Sequence, residues 1–447
     1  MRLARNMLLA RILAPDAFGT MAMVLAASGI FETLSDVGVR QSIIQSKKGV
    51  DADYLNVAWW FQVFRGLGLY ILGVIASPWV SHFYRVPELL PLLRVAFIAM
   101  IFHGLTSPRA YVLEKKLQFG RYVILTQGSG VISILLTIGL AFYLRNVWAL
   151  VIGLVAEAVI RCILSFVLCP LLPKLSIDRE SLKELMNFAG GMFGLSFLSV
   201  IISQIPVIVL GKVVSWEQLG MYSMAFQLAS QPNYLFDRIV GRVLLPAFAE
   251  KQDDKKPICR AMLAMARGTG VFAIPLLAFT IMCPGPILSL VYGAQYSVVA
   301  IPFVLLCMWG LVSIEGTKVA SLFLGMGLPR LHRRAVALRG LLLACFIYPA
   351  TVYWGLSGAA AATLAAYSIA LILPFRWMRN LIHLEPIEYG RAWLPGLIFS
   401  ALVFVPVGIL KLARVRYAGI NTVTAGLACF AALVIGVFYL NRRYKLI

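Results

Sequence analysis

The chain has 447 residues, 61% of them hydrophobic and only 13% charged. A soluble domain carries about 25% charged residues, so this balance excludes a soluble globular enzyme, a disordered chain and a disulfide scaffold. The 40 Lys and Arg against 19 Asp and Glu give a net charge of +21, but the basic residues stand between apolar runs and read as membrane-protein loop charges, not as a nucleic-acid surface.

In chain order, residues 1–13 (MRLARNMLLARIL) have a helical pattern, carry three arginines and are too short to span a membrane. Hydropathy and breaker residues then predict spans at 17–36, 55–79, 88–108, 121–143, 147–169, 188–212, 216–236, 263–291, 298–325, 335–354, 356–375, 392–413 and 419–440. These thirteen segments predict an all-α polytopic membrane protein. Lys and Arg alternate loop by loop, 27 on one side against 7 on the other. The positive-inside rule places the basic loops, among them 237–262 and 326–339, and the C-terminus in the cytoplasm.

An internal repeat is visible. Residues 10–28 align with 211–229, placing Arg11 on Lys212, Asp16 on Glu217, Gly19 on Gly220 and Met23 on Met224. Asp36 then falls on Asp237. A second match pairs 143–153 with 353–363. An even number of spans separates the copies, which predicts two six-helix lobes in parallel pseudo-repeat plus two C-terminal helices. The expected organisation is an N-terminal lobe at 1–170, a cytoplasmic linker at 171–187, a C-terminal lobe at 188–385, and two extra helices with a basic tail at 386–447.

Residues 8–12 align with 209–213, the end of a full-length span. The first copy should have a comparable span before it, yet a dozen residues reach only about 20 Å against a ~30 Å hydrocarbon core. The expectation is that Met1 is internal to the natural reading frame, or that most of the first helix is missing.

No Walker A, HExxH or GxSxG signature is present, and the seven cysteines and four histidines form no metal-ligand cluster. No metal or cofactor is expected, and an enzyme is disfavoured. The cysteines read as small buried hydrophobes. Ionisable residues inside spans are the informative ones, because each is costly unless paired or facing water. Glu157 and Arg161, four apart, and Glu315 and Lys318, three apart, share helix faces and read either as internal ion pairs or as part of a transport site. Arg65 and Arg94 have no carboxylate neighbour on their own helix and are expected to face a hydrated cavity between the lobes. There a guanidinium fork suits a phosphate or diphosphate. Asp36 reads as a structural cap. Trp59, Trp60, Trp79, Trp148 and Trp216 fall near span ends, as in an interfacial belt.

The run LLARILAPDAFGTMAMV with ETLSDVGVRQSIIQ, and later FYRVPELLPLLRVAFI, SPRAYVLEKKLQFGRY, GRVLLPAFAEKQDD, PGPILSLVYGAQYSVVAIPF and FLGMGLPRLHRR, resemble the Wzx-type polysaccharide transporters. These are lipid-linked oligosaccharide flippases of the multidrug/oligosaccharidyl-lipid/polysaccharide exporter superfamily, and the chain is most similar to the exopolysaccharide, colanic-acid-exporter branch. The resemblance implies fourteen helices, two lobes around a cationic cavity and alternating access in the bacterial inner membrane. It implies an undecaprenyl-diphosphate-linked oligosaccharide as cargo, for exopolysaccharide or O-antigen (lipopolysaccharide) biosynthesis, beside a polysaccharide polymerase and export machinery. Under it Arg65, Arg94, Arg161 and Lys318 are candidate diphosphate ligands. Glu157 and Glu315 are candidates for charge tuning or ion coupling, and Gly19, Gly220, Asp36 and Asp237 are structural motif residues. A drug/cation antiporter of the same superfamily and a peptidoglycan lipid-precursor flippase are the alternatives. A drug/cation antiporter would prefer an anionic cavity.

Overall fold

The computed structural model describes residues 2–34, 38–171, 173–174, 178–238, 242–250 and 254–401, with residues 404, 426, 431, 434 and 435. Asp36, the end of the predicted span 392–413 and most of 419–440 lie outside the described residues. Every regular element among the described residues is helical. Among the described residues, six helices are long and apolar enough to cross a membrane, or seven if one bent pair counts as a single span. The chain divides into two compact units, Met1–Ser223 and Met224–Ile447.

The first unit holds α1 (Arg2–Leu9), α2 (Pro15–Leu34), α3 (Val39–Gln45), α4 (Ala52–Tyr84), α5 (Leu89–Leu105), α6 (Arg109–Lys115) and α7 (Phe119–Val123). A π-helical turn, Ile124–Gly128, then leads into α8 (Ser129–Leu144), followed by α9 (Trp148–Leu168) and α10 (Arg179–Val213). α11 (Trp216–Ala229) begins in this unit. Helix α5 bends by 62° into α6. By packing, α10 docks on α2 and groups with this first unit.

Small residues set the helix spacing. On α4 and α5, a Cβ at Gly66 would come within 2.6 Å of the Met100 carbonyl oxygen, and one at Gly104 within 2.5 Å of the Gln62 carbonyl. Without side chains there, the two backbones approach closely, as at small-residue contacts between membrane helices. The repeat-related glycines also meet each other. A Cβ at Gly19 would lie 2.0 Å from the Trp216 carbonyl oxygen, and one at Gly220 1.8 Å from that of Pro15. Helices α2 and α11 begin 201 residues apart, at Pro15 and Trp216, with Asp16 and Glu217 each in the first turn. That is the offset read from the sequence repeat, and an acidic residue there complements the helix dipole.

Polar ties hold the ends of this unit. Ser42 and Tyr54 hydroxyls are 2.5 Å apart. The amide of Asn56 donates to the Lys174 carbonyl at 2.7 Å and accepts from the Lys174 N–H at the same distance. Arg40 pairs with Glu114, and Lys48 with Glu180 at 2.9 Å. The Glu114 hydrogen bond holds the Arg40 guanidinium above its ordinary pKa, and Glu180 does the same for Lys48. At the start of α10, Asp178 accepts from the Ser181 N–H at 2.9 Å and from the Ser181 hydroxyl at 2.6 Å. These bonds hold its carboxyl below the usual range.

The second unit contains α12 (Gln231–Phe236), α13 (Arg242–Glu250), α14 (Lys255–Met282), α15 (Pro284–Tyr292), α16 (Ala300–Gly325), α17 (Pro329–Ile382) and α18 (Pro386–Arg391). Its core packs Phe248, Met262, Leu322, Phe323, Met378 and Tyr389 together. The segment expected as one span at 263–291 is two helices, because the Cys283-Pro284-Gly285-Pro286 sequence interrupts the backbone ladder. Helix α17 is a hairpin of two arms. Gly355 has φ 56° and ψ −138°, and a Cβ at Gly358 would be 1.8 Å from the Ala350 carbonyl oxygen. The expected division between spans 335–354 and 356–375 falls on that glycine, whose left-handed φ reverses the chain without a loop.

Of the described cysteines, Cys162, Cys169 and Cys283 are buried, whereas Cys345 is exposed on the first arm of α17. Exposed large apolar side chains, such as Trp79, Leu290 and Val298, lie on segments read as spanning a membrane. In water they would be a liability; against lipid they cost nothing. Trp59 and Trp60 instead turn their indole N–H groups inward, to the carbonyls of Leu105 and Lys174 at 3.1 and 2.9 Å.

Candidate functional site

The first unit encloses a polar cavity of about 190 Å³. Its walls are Glu32 from α2, Gln62 and Arg65 from α4, His103 from α5, Tyr111 from α6 and Arg161 from α9. The glycine contact between α4 and α5 builds it: Gly66 and Gly104 line the cavity and bring the Gln62–Arg65 turn beside His103. One Arg65 guanidinium nitrogen donates to the Glu32 carbonyl at 3.2 Å, which holds the side chain across the cavity. Arg161 donates to Glu157 at 2.9 Å, as the four-residue spacing predicts, yet its Nε is buried and has no hydrogen-bond partner. An orphaned guanidinium N–H beside a polar cavity is a donor waiting for an acceptor.

The other sequence candidates lie elsewhere. Arg94 is exposed on α5, nine residues before His103, and does not line this cavity. Lys318 and Glu315 are in the second unit and buried. The Lys318 ammonium donates to Glu315 at 2.6 Å and to the Thr269 hydroxyl at 3.3 Å, and lies 5.6 Å from the Tyr389 ring centre. The Tyr389 hydroxyl closes the cluster by donating to the other Glu315 oxygen. This cluster ties α14, α16 and α18 together and opens onto none of the cavities described here. Asp237 is exposed at the end of α12, its N–H donating back to Asn233 and Tyr234 carbonyls. Among the described residues no group of three or more His, Cys, Asp or Glu could hold a metal ion.

Sequence reasoning missed His103, Gln62 and Tyr111. A single His or Gln in an apolar run has no local signal; only the i, i+3 spacing of Gln62 and Arg65 hinted that they share a face.

A family model described as polysaccharide biosynthesis protein matches residues 8–301. The chain belongs to that family. Within polysaccharide biosynthesis proteins it is 23% identical over 324 residues to the lipopolysaccharide biosynthesis protein WzxC of Escherichia coli (strain K12), covering 72% of this chain and 66% of that one. It is 25% identical over 372 residues to an uncharacterized membrane protein in the cps region of Klebsiella pneumoniae, covering 82% and 76%. It is 23% identical to the succinoglycan biosynthesis transport protein ExoT of Rhizobium meliloti (strain 1021), covering 65% and 58%. Among solved structures, the lipid II flippase MurJ in an inward closed conformation superposes with a TM-score of 0.77 over 99% of this chain and 96% of that one, at 15% identity. An inward-facing multidrug resistance MATE transporter gives 0.68 at 14% identity, covering 86% and 94%. The two solved transporters thus share one polytopic all-helical fold with this chain.

Proposed function

We propose that this protein is an alternating-access flippase. It moves an undecaprenyl-diphosphate-linked oligosaccharide across the bacterial inner membrane and delivers it to polymerase and export machinery. The observation that carries the reading is the polar cavity of the first unit, where Arg65 and Arg161 come from different helices and converge on one space. A diphosphate brings several acceptor oxygens, and guanidinium groups bind them as planar forks. Arg161 keeps its Nε free while Glu157 fixes its orientation, so a phosphate oxygen can add to it without first breaking the ion pair. Glu32 and Glu157 offset part of the positive charge. The anion is therefore held without the binding that would prevent release on the far side. The names WzxC and ExoT, both of polysaccharide biosynthesis, support the same cargo class.

The loop charges support a cytoplasmic C-terminus and external residues 293–298. Cysteine labelling that finds 326–339 external would overturn this orientation. The function is tested with the full chain in proteoliposomes. A fluorescent short-chain lipid-diphosphate oligosaccharide in the inner leaflet should reach an external quencher with wild type and lose at least tenfold in rate with Arg65→Gln/Arg161→Gln. Equal rates would remove this cavity from transport.

A further inference from the structure

The second unit contains another cavity, separate from the Lys318–Glu315 cluster, in which one arginine and one histidine stand among mostly apolar walls. It measures about 40 Å³ and lies between α16 and both arms of α17. Arg339 and His332 from the first arm, Tyr367 and Pro374 from the second, and Gly316 from α16 line it. His332 and Arg339 are seven residues apart, two turns on one helix face. The Arg339 guanidinium carbon stacks 4.5 Å from the centre of the Tyr367 ring. That contact holds the guanidinium against the aromatic face. The Arg339 Nε is buried and has no hydrogen-bond partner. No carboxylate lines the cavity. The offset that pairs 143–153 with 353–363 places Glu157 of the first unit on Tyr367 here. Where the first unit neutralises its arginine with a carboxylate, the second supplies an aromatic face and keeps the charge.

We infer that Arg339, positioned by Tyr367 and assisted by His332, forms a binding site for a single phosphate group. The size selects it: one water needs about 10–15 Å³, so the cavity admits the oxygens of one phosphate and excludes a sugar. The site goes beyond the proposed transport reading, since its ligand is either the headgroup of an anionic phospholipid or phosphate from solution. Under the orientation read from the loop charges, it lies toward the cytoplasmic leaflet.

The experiment uses the purified full chain in detergent, with short-chain phosphatidylglycerol and sodium phosphate added in separate titrations. Ligand retention is read by native mass spectrometry and thermal stabilisation by scanning fluorimetry. Wild type should bind at least one of the two. Arg339→Gln should weaken that binding at least tenfold, and Arg339→Lys at least fivefold, because lysine has no Nε and no planar fork. Tyr367→Phe should bind as wild type and Tyr367→Leu several-fold more weakly. Stabilisation by phosphatidylglycerol alone assigns a lipid headgroup; stabilisation by sodium phosphate assigns a soluble source. Arg330→Gln, at an exposed arginine on the same helix, should leave binding unchanged. Equal affinity in wild type and Arg339→Lys, or an equal loss in Arg330→Gln, would overturn the site. If Arg339→Gln does not fold, the Arg339→Lys and Tyr367 variants decide by the same criteria.

Discussion

Each unit has a cation and a carboxylate one helical turn apart, and their fates differ. Arg161 and Glu157 are 2.9 Å apart with side chains 29% and 17% exposed. Lys318 and Glu315 are 2.6 Å apart with 0% and 5%. Spacing alone makes both pairs; the surroundings decide what each can do. Lys318 donates to a carboxylate and a hydroxyl, and Glu315 receives a tyrosine hydroxyl besides, so no anion enters without dismantling the cluster. Arg161 has more donors than Glu157 can accept from, and one of them stays vacant at a cavity wall. The first arrangement fastens helices together, and the second offers charge to a visitor.

The largest expected effect breaks the fastened pair. Lys318→Ala leaves a buried carboxylate uncompensated, which costs about 3–5 kcal/mol. Thermal unfolding in detergent should show a large loss, and Lys318→Met/Glu315→Leu should be markedly less harmful than either single change. A double variant no better than the singles would mean the cluster is not closed.

Gly220→Ala separates packing from charge, since it forces α11 off Pro15 without touching an ionisable group. Overpacking of this kind costs about 1–3 kcal/mol. The same melt should report it, with Gly220→Ser no better. A wild-type melting temperature for Gly220→Ala would show that the helices separate freely.

Arg161→Ala should shift the melt by less than about 1 kcal/mol, because its pair is partly exposed. It should nevertheless impair flipping in the proteoliposome assay. The opposite pattern, a large stability loss with normal flipping, would make it a fastener like Lys318.

The smallest effect is at Asp178. Its carboxyl is held below the ordinary value, so its contribution is present above that value and is lost as pH falls through the lowered one. Loosening of the first turn of α10 is therefore expected only below about pH 4. Hydrogen exchange at neutral pH should be faster at the Glu180 and Ser181 amides in Asp178→Ala and unchanged in Asp178→Asn.

Much of the architecture was legible because hydropathy and helix period are local properties. The predicted division at residue 355 coincides with a left-handed glycine, and the repeat offset places Pro15 and Trp216 at equivalent helix starts. The break at Cys283–Pro284 was missed, because apolar residues on both sides kept the hydropathy continuous. Both ion pairs were legible from spacing. The partners that distinguish them were not: Tyr389 is 74 residues from Glu315, and His103 shares a cavity with Arg161 only because α5 and α9 pack together. Arg65 and Arg94 look alike in sequence, both single arginines in apolar runs. Only the closeness of α4 to α5 turns the first toward a cavity, while the second is exposed.

The hairpin at Gly355 has a mechanical consequence. Its arms, 329–354 and 356–382, are joined by one residue in place of a loop, so they share a pivot with no slack. A tilt of one arm is transmitted to the other within a single peptide unit, and the stacked Arg339 and Tyr367 sit on opposite blades of these scissors. Residues inserted at the pivot would let each blade swing alone, and the grip between guanidinium and ring would open with them.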